Sequence, residues 1–229
     1  MRRAVLVLCA GFSVGGCDVV FRIDHVGDTD ANASVNGDAD VPPCDTLYVD
    51  EFDGDMACRP WGSPDIMNAS LVEAGGTLTV TPAMIAGSRA GCFSDADFPL
   101  GADGVIVEVS QVIGGDLGEF TLLGFGPPVD IAISAGNSEL RFQDSFGVQD
   151  FGRVIFVQKE MRWWRMRPDG AGKLAAEYSA DGHTWKPFGI PQPLSASVTT
   201  VGVGLLAGYN STQSTGTGKS VFERLIVCR

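Results

Sequence analysis

The chain has 229 residues, enough for one or two domains, and its 16 Lys and Arg against 28 Asp and Glu give a formal net charge of −12. This acidic balance argues against a nucleic-acid partner, because phosphate binding needs a dense basic face. Only 2 histidines are present, which leaves little room for histidine-based catalysis or a multi-histidine metal site. We therefore predict no metal, cofactor, nucleotide or nucleic-acid ligand.

The N-terminus has the pattern of an export signal. Arg2 and Arg3 precede an apolar run at 4–14, which is too short for the roughly 20 residues of a membrane-spanning helix. The run closes with Val14-Gly15-Gly16-Cys17, which resembles the bacterial lipobox. By that resemblance 1–16 is a lipoprotein signal peptide, and Cys17 is lipidated and becomes the mature N-terminus. The alternative is an ordinary signal peptide in which Cys17 is incidental.

The next segment, 17–43, is acidic and rich in Asp, Asn, Gly, Ala and Ser, without hydrophobic periodicity. This composition is typical of a flexible, self-repelling linker rather than a folded element. A calcium loop is the alternative, but the EF-hand spacing is missing. We expect a disordered tether between the lipid anchor and a folded domain. The predicted location is the bacterial cell envelope, with the choice between inner and outer membrane left open.

From Cys44 to Arg229 the pattern is that of one all-β domain. Short apolar or alternating runs are separated by Gly, Pro, Asn and Asp, and no amphipathic helix is evident. The strands predicted in chain order are 47–51, 77–81, 90–93, 105–113, 120–125, 129–134, 139–143, 154–158, 161–167, 174–179, 185–188, 198–207 and 220–227. Strands at this spacing predict a two-sheet antiparallel sandwich or a barrel.

The cysteines fit an exported domain. Of the 6 cysteines, Cys9 leaves with the signal and Cys17 takes lipid, so Cys44, Cys58, Cys92 and Cys228 remain. An even number in an exported chain predicts two disulfides, with three possible connectivities. We expect Cys44–Cys228, because the first and last strands of such sandwiches commonly lie side by side, which leaves Cys58–Cys92.

The most informative stretch reads as strand, turn, strand, turn and strand. It comprises Met161-Arg-Trp-Trp-Arg-Met-Arg167, Lys173-Leu-Ala-Ala-Glu-Tyr-Ser179 and Ala180-Asp-Gly-His-Thr-Trp185. This pattern resembles the central hairpins of the concanavalin A-like lectin/glucanase jelly rolls, a family that includes laminin G-like domains. The resemblance implies a jelly-roll sandwich over 44–229, a fold that hosts both lectins and hydrolases.

Catalysis is not favoured by the acidic residues. The glucanases of that superfamily carry several carboxylates on one strand, whereas Glu108, Glu119 and Glu139 each stand alone on a predicted strand. His183 lies in a predicted turn, where a solvated polar residue is the default. We predict no catalytic residue, although an unusual or degenerate glycoside hydrolase stays as an alternative.

A candidate ligand face lies on the strand at 161–167. Period-2 geometry places Glu160, Arg162 and Trp164 on one face and Trp163 on the other, so one tryptophan is expected in the core and the other partly exposed. We choose Trp164 as a platform for a sugar ring, with Arg162 and Glu160 as donor and acceptor. The competing interpretation is that Arg and Trp simply stack on the convex face.

These observations predict a lipid-anchored envelope protein with a non-catalytic recognition domain. Its expected partners are the membrane, through the anchor, and a glycan or another envelope component. A structural envelope protein without a small ligand is the third hypothesis.

Overall fold

The computed structural model describes residues 44–114, 118–210 and 218–229. The predicted signal peptide, Cys17 and the linker lie outside these residues. The strands are β1 Thr46–Asp50, β2 Gly62–Met67, β3 Ala69–Ala74, β4 Thr77–Pro82, β5 Arg89–Ser94, β6 Phe98–Pro99, β7 Val105–Gln111, β8 Glu119–Phe125, β9 Ile131–Gly136, β10 Glu139–Asp144, β11 Asp150–Ile155, β12 Trp163–Pro168, β13 Lys173–Ser179, β14 Lys186–Pro193, β15 Thr200–Val201, β16 Val203–Tyr209 and β17 Ser220–Cys228. No helix occurs in these ranges, and so none is available there to cross a membrane.

Two large antiparallel sheets form a sandwich. The back sheet has eight strands in the order β14-β13-β12-β7-β17-β4-β3, with β1 also paired to β17. The front sheet has seven strands in the order β11-β10-β9-β8-β16-β5-β2, and β15 and β6 form a small third sheet. The prediction of an all-β, two-sheet antiparallel sandwich is confirmed.

The main core lies between the two sheets. Alternate residues of each strand point into it, among them Val107 and Trp164 of the back sheet and Leu123, Phe142 and Leu205 of the front sheet, all completely buried. The intervening residues of the front-sheet strands therefore face away from the core.

A second apolar cluster covers the outer side of the back sheet. Ile106, Trp163, Ile226 and Cys228 are buried there, with Cys44 and Trp185 packed against them. Because this cluster covers the centre of the sheet, β7 and β12 are buried on both faces. Period-2 reasoning assumes one solvated face, and that assumption does not hold for these two strands.

Both disulfides join the predicted partners, Cys44 with Cys228 and Cys58 with Cys92. The first pairing follows from the sheet, because β1 lies beside β17 with Thr46 opposite Cys228. The second links β5 to the segment that precedes β2.

Sequence periodicity missed β2 and β3, which form one edge of the front sheet and one edge of the back sheet, and it missed the two-residue β6. β2 contains Gly62, Pro64 and Asp65, residues that disfavour strands, yet it forms the edge beside β5. An edge strand tolerates proline, because one side of its backbone needs no hydrogen-bond partner. A strand was predicted at 185–188, and β14 continues beyond it to Pro193. Its three prolines are tolerated because β14 also lies at an edge, that of the back sheet.

Candidate functional site

The ligand face predicted around Trp164 does not form a single surface. Met161 and Trp164 both lie in the main core, and Trp164 is 0% exposed, with its indole N–H donating to the Met161 carbonyl over 2.8 Å. Arg162 and Trp163 lie on the opposite side, because the turn that precedes β12 shifts the alternation by one residue. The expectation that one tryptophan is exposed therefore differs from the structure, in which both are buried.

Arg162 belongs to an ion-pair cluster on the outer side of the back sheet. Its guanidinium lies 2.6 Å from Glu108 Oε1 and also bonds Glu223 of β17. Burial raises the pKa of Glu108 despite the opposing charge of Arg162. Glu160 is exposed on the turn before β12. These contacts join neighbouring elements of the back sheet. They do not place Arg162 beside an exposed aromatic ring on which a sugar could stack, as the sequence predicted for Trp164.

The motif residues of β12 and β13 form a second ion-pair network on the same side of the back sheet. Glu177 accepts from Arg165 over 2.5 Å and from Arg167 over 2.9 Å, and Trp185 covers the Arg165 guanidinium at 4.2 Å from its ring centroid. Arg165 and Glu177 are almost fully buried. This arrangement matches the competing interpretation, in which arginine and tryptophan stack on the outside of the sandwich.

A groove of about 900 Å³ lies instead across the outer side of the front sheet. The outward positions of its central strands are small or apolar, and they include Leu122 and Gly124 of β8, Ser134 of β9, and Gly204 and Leu206 of β16. Because Gly124, Ser134 and Gly204 project little or no side chain, the sheet surface itself forms much of the floor of the groove. Its lining is mixed, as in sites for small organic ligands.

Phe93 of β5 is one of the aromatic residues that line this groove. Its residue surface is 43% exposed, although it is large and apolar. A Cβ atom added to Gly204 on the neighbouring strand would lie 2.9 Å from Phe93 Cε1 and 3.0 Å from Cδ1. The ring therefore occupies the space that a side chain at position 204 would fill, and the glycine allows the ring to rest against β16.

An arginine–carboxylate pair lies toward each end of the groove. Arg89 Nε of β5 is 3.1 Å from Asp65 Oδ2 of β2, and Arg141 Nη2 of β10 is 2.6 Å from Glu139 Oε2. Phe146, in the β10–β11 loop, also lines the groove and is 79% exposed. The groove thus combines accessible phenyl rings with partly exposed ion pairs.

The three acids considered for catalysis lie in three different settings. Glu108 is in the ion-pair cluster of the back sheet, and Glu119 is buried at the start of β8, where it lines the groove. Glu139 is on β10, ion-paired with Arg141 and 3.5 Å from Arg153 Nη1. The fold does not bring the three together.

Sequence reasoning missed the groove, although a signal was present. Gly202 and Gly204 alternate with Val201 and Val203, so one face of that strand is bare and the other is apolar. Glycine inside a strand often marks a close approach by another group or a ligand. Here the approaching group is the ring of Phe93.

No protein-family model and no curated protein sequence matches the chain. Among solved structures, the carbohydrate recognition domain of Emp47p has a TM-score of 0.56 at 13% identity and covers 84% of this chain and 99% of its own. A glycosyl hydrolase family protein from Mycobacterium fortuitum has a TM-score of 0.53 at 13% identity, covering 80% and 99%. A beta-1,3-glucanase from Mycobacterium marinum has a TM-score of 0.51 at 13% identity, covering 80% and 98%.

Identities this low establish the fold and nothing further about the chemistry. The two packed antiparallel sheets and these structural neighbours agree on the fold. The described part of the chain is a two-sheet antiparallel β-sandwich, and its fold is similar to that of a carbohydrate recognition domain and of glycosyl hydrolase family proteins.

Proposed function

We propose that the front-sheet groove binds carbohydrate without cleaving it, and that a lipid anchor at Cys17 holds the domain at the bacterial cell envelope. The observation that carries the binding proposal is Phe93, an accessible ring set against the bare backbone of β16 within the groove. Rings of this kind stack on the apolar faces of sugars, while polar neighbours select among hydroxyl arrangements. The structural neighbours of this fold include a carbohydrate recognition domain.

The length of the groove favours an oligosaccharide over a single sugar. Arg89 lies on β5 and Arg141 on β10, which are four positions apart in the order of the front sheet. At about 4.8 Å per strand, this separation corresponds to about 19 Å. A ligand that contacts both ends must therefore be extended and must cross the strands.

The non-catalytic assignment is supported by the residues of the groove floor. Between β2 and β10, the outward positions of the described strands β5, β16, β8 and β9 carry no carboxylate. Asp65 and Glu139, at the two ends, are five strand positions apart, or about 24 Å. Glycosidases hold their two carboxyl groups about 5–10 Å apart, so these two acids do not form such a pair.

Replacing Phe93 tests the binding proposal. We expect Phe93→Ala in the full-length protein to weaken binding to immobilised neutral glycans at least about fivefold, because a stacked aromatic contact contributes about 1 kcal/mol. The melting temperature should change little, since the ring is partly exposed. Affinity is measured on a glycan array and by calorimetry with the glycans that bind.

Ile190→Ala is the matched control, because Ile190 is a 69% exposed apolar residue of the back sheet, away from the groove. Equal binding by both variants would contradict the assignment of Phe93. Failure of the wild-type protein to bind any glycan would favour a structural envelope protein. Release of reducing sugar from a bound glycan would favour a glycoside hydrolase.

A further inference from the structure

The groove contains arginine, yet its positive charges are already neutralised. Arg89 bonds Asp65 through Nε over 3.1 Å, and Arg141 bonds Glu139 through Nε over 2.9 Å and Nη2 over 2.6 Å. The carboxylates belong to β2 and β10, strands of the same sheet, so each pair is built into the fold. Neither guanidinium therefore presents an uncompensated positive charge to a ligand.

The other charged residues lining the groove are acidic. Asp97 and Asp130, which lie outside the strands, have carboxyl side chains, and no lysine is among the lining residues of the described chain. The whole chain is also acidic, with a formal net charge of −12. A groove with this charge distribution repels anions, and the repulsion is stronger in a partly enclosed site than in open water.

A neutralised pair still offers hydrogen bonds. A guanidinium has five N–H donors, and a carboxylate has about four acceptor sites. The Arg89–Asp65 contact uses one Arg89 donor, and both side chains are about 40% exposed, at 42% and 39%. Donors and acceptors thus stand side by side at the groove surface. A sugar hydroxyl, which donates and accepts together, matches that arrangement, whereas a carboxylate or sulfate only accepts.

We propose that the groove selects uncharged oligosaccharides and rejects glycans that carry carboxylate or sulfate groups, because Asp65 and Glu139 occupy the arginines that would otherwise bind those anions. This selectivity rests on the proposed function, since it assigns the ligand class of the same groove. It names Asp65 and Glu139 as specificity-determining residues.

The test compares neutral and anionic oligosaccharides of equal length in the full-length protein. Neutral probes are gluco-, manno- and galacto-hexasaccharides, and anionic probes are hexagalacturonate and a hyaluronan hexasaccharide. We expect the wild-type protein to bind at least one neutral probe, and to bind the anionic probes at least about tenfold more weakly. Asp65→Asn frees Arg89 while leaving it in place, so this variant should bind hexagalacturonate at least about tenfold more tightly than the wild type.

Asp45→Asn is the matched control, because it makes the same change of charge at an exposed site outside the groove, where Asp45 pairs with Arg229. The gain should be absent in this control, and Glu139→Gln, at the other end, should reproduce it. Thermal melts show which variants remain folded.

Tighter wild-type binding of an anionic probe than of any neutral one would overturn the selectivity and leave glycan binding intact. So would equal hexagalacturonate binding by Asp65→Asn and Asp45→Asn. Binding of neither class would overturn the proposed function itself.

Discussion

Trp163 and Trp164 are adjacent in the chain and buried on opposite sides of the back sheet. Sequence reasoning placed them correctly on opposite faces, because neighbouring strand residues alternate. It assigned solvent to one face because nothing in the local pattern shows the outer cluster. That cluster brings together Cys44, Ile106 and Ile226, which are far apart in sequence and meet only when the sheet is complete.

Both tryptophans should therefore contribute to stability. We expect Trp163→Ala and Trp164→Ala each to lower the free energy of unfolding by about 3–5 kcal/mol, the usual effect of truncating a buried aromatic residue. Urea titration of the full-length protein measures both, with Ile190→Ala as an exposed control that should change little. If Trp163→Ala were as stable as the wild type, the outer cluster would not exist in solution.

At the level of elements, β12 and β13 are joined by a buried charge network that the sequence motif identified only in part. The spacing of Arg165, Arg167 and Glu177 was visible in the sequence, and the strand pairing brings the three together, with Arg165 directly opposite Glu177. What was not visible is their burial, which depends on Trp185 folding back over Arg165. The motif residues therefore hold the back sheet together, and the groove lies on the other sheet.

This network should make stability dependent on pH. Burial tends to raise the pKa of Glu177, but hydrogen bonds from Arg167 and the charge of Arg165 outweigh burial and lower it. A lowered pKa in the folded state means that Glu177 stabilises the protein above its unfolded pKa of about 4.3, and that this stabilisation is lost as the pH falls through the folded value.

Glu177→Gln isolates that contribution. At pH 7 we expect the variant to be about 3 kcal/mol less stable than the wild type, because Arg165 is left buried without its partner. The difference should shrink as the pH falls below about 4, because Glu177 then becomes protonated in the unfolded wild type while it stays ionised in the folded protein. Urea midpoints measured from pH 7 down to pH 3 give the comparison. A constant difference over this range would show that the charge of Glu177 is not the stabilising feature.

For the whole molecule, the sequence predicted the fold class and both disulfides, because strand and turn signals are local and the cysteines are few. The groove required the order of strands in the front sheet, which places β5 beside β16 although their sequences lie far apart. Edge strands such as β2 were hidden by their proline and glycine. Phe93 was visible only as one apolar residue of a short strand until Gly204 was found beside it.

The lipid anchor is the proposal that concerns the molecule in its cellular setting. Cys17 ends the apolar run of the N-terminal segment, where a lipobox-like sequence places the lipidated residue. In a bacterial host, Cys17→Ala should abolish metabolic labelling with fatty acid and remove the protein from the membrane fraction. Two or three acyl chains give stable membrane residence, so the shift between fractions should be nearly complete. Unchanged labelling and fractionation would contradict the lipobox assignment, and Cys9→Ala is the control that should behave as the wild type.

Mapping a bound glycan on the protein tests the central claim most directly. The measurement is an NMR titration of the full-length protein with the neutral hexasaccharide that binds best, followed through backbone amide shifts. We predict that the largest changes occur at Phe93, Gly124 and Gly204 on the front sheet, and that Trp163 and Arg165 on the back sheet do not shift. Changes concentrated on β12 and β13, or spread evenly over both sheets, would contradict the assignment of the groove as the carbohydrate site.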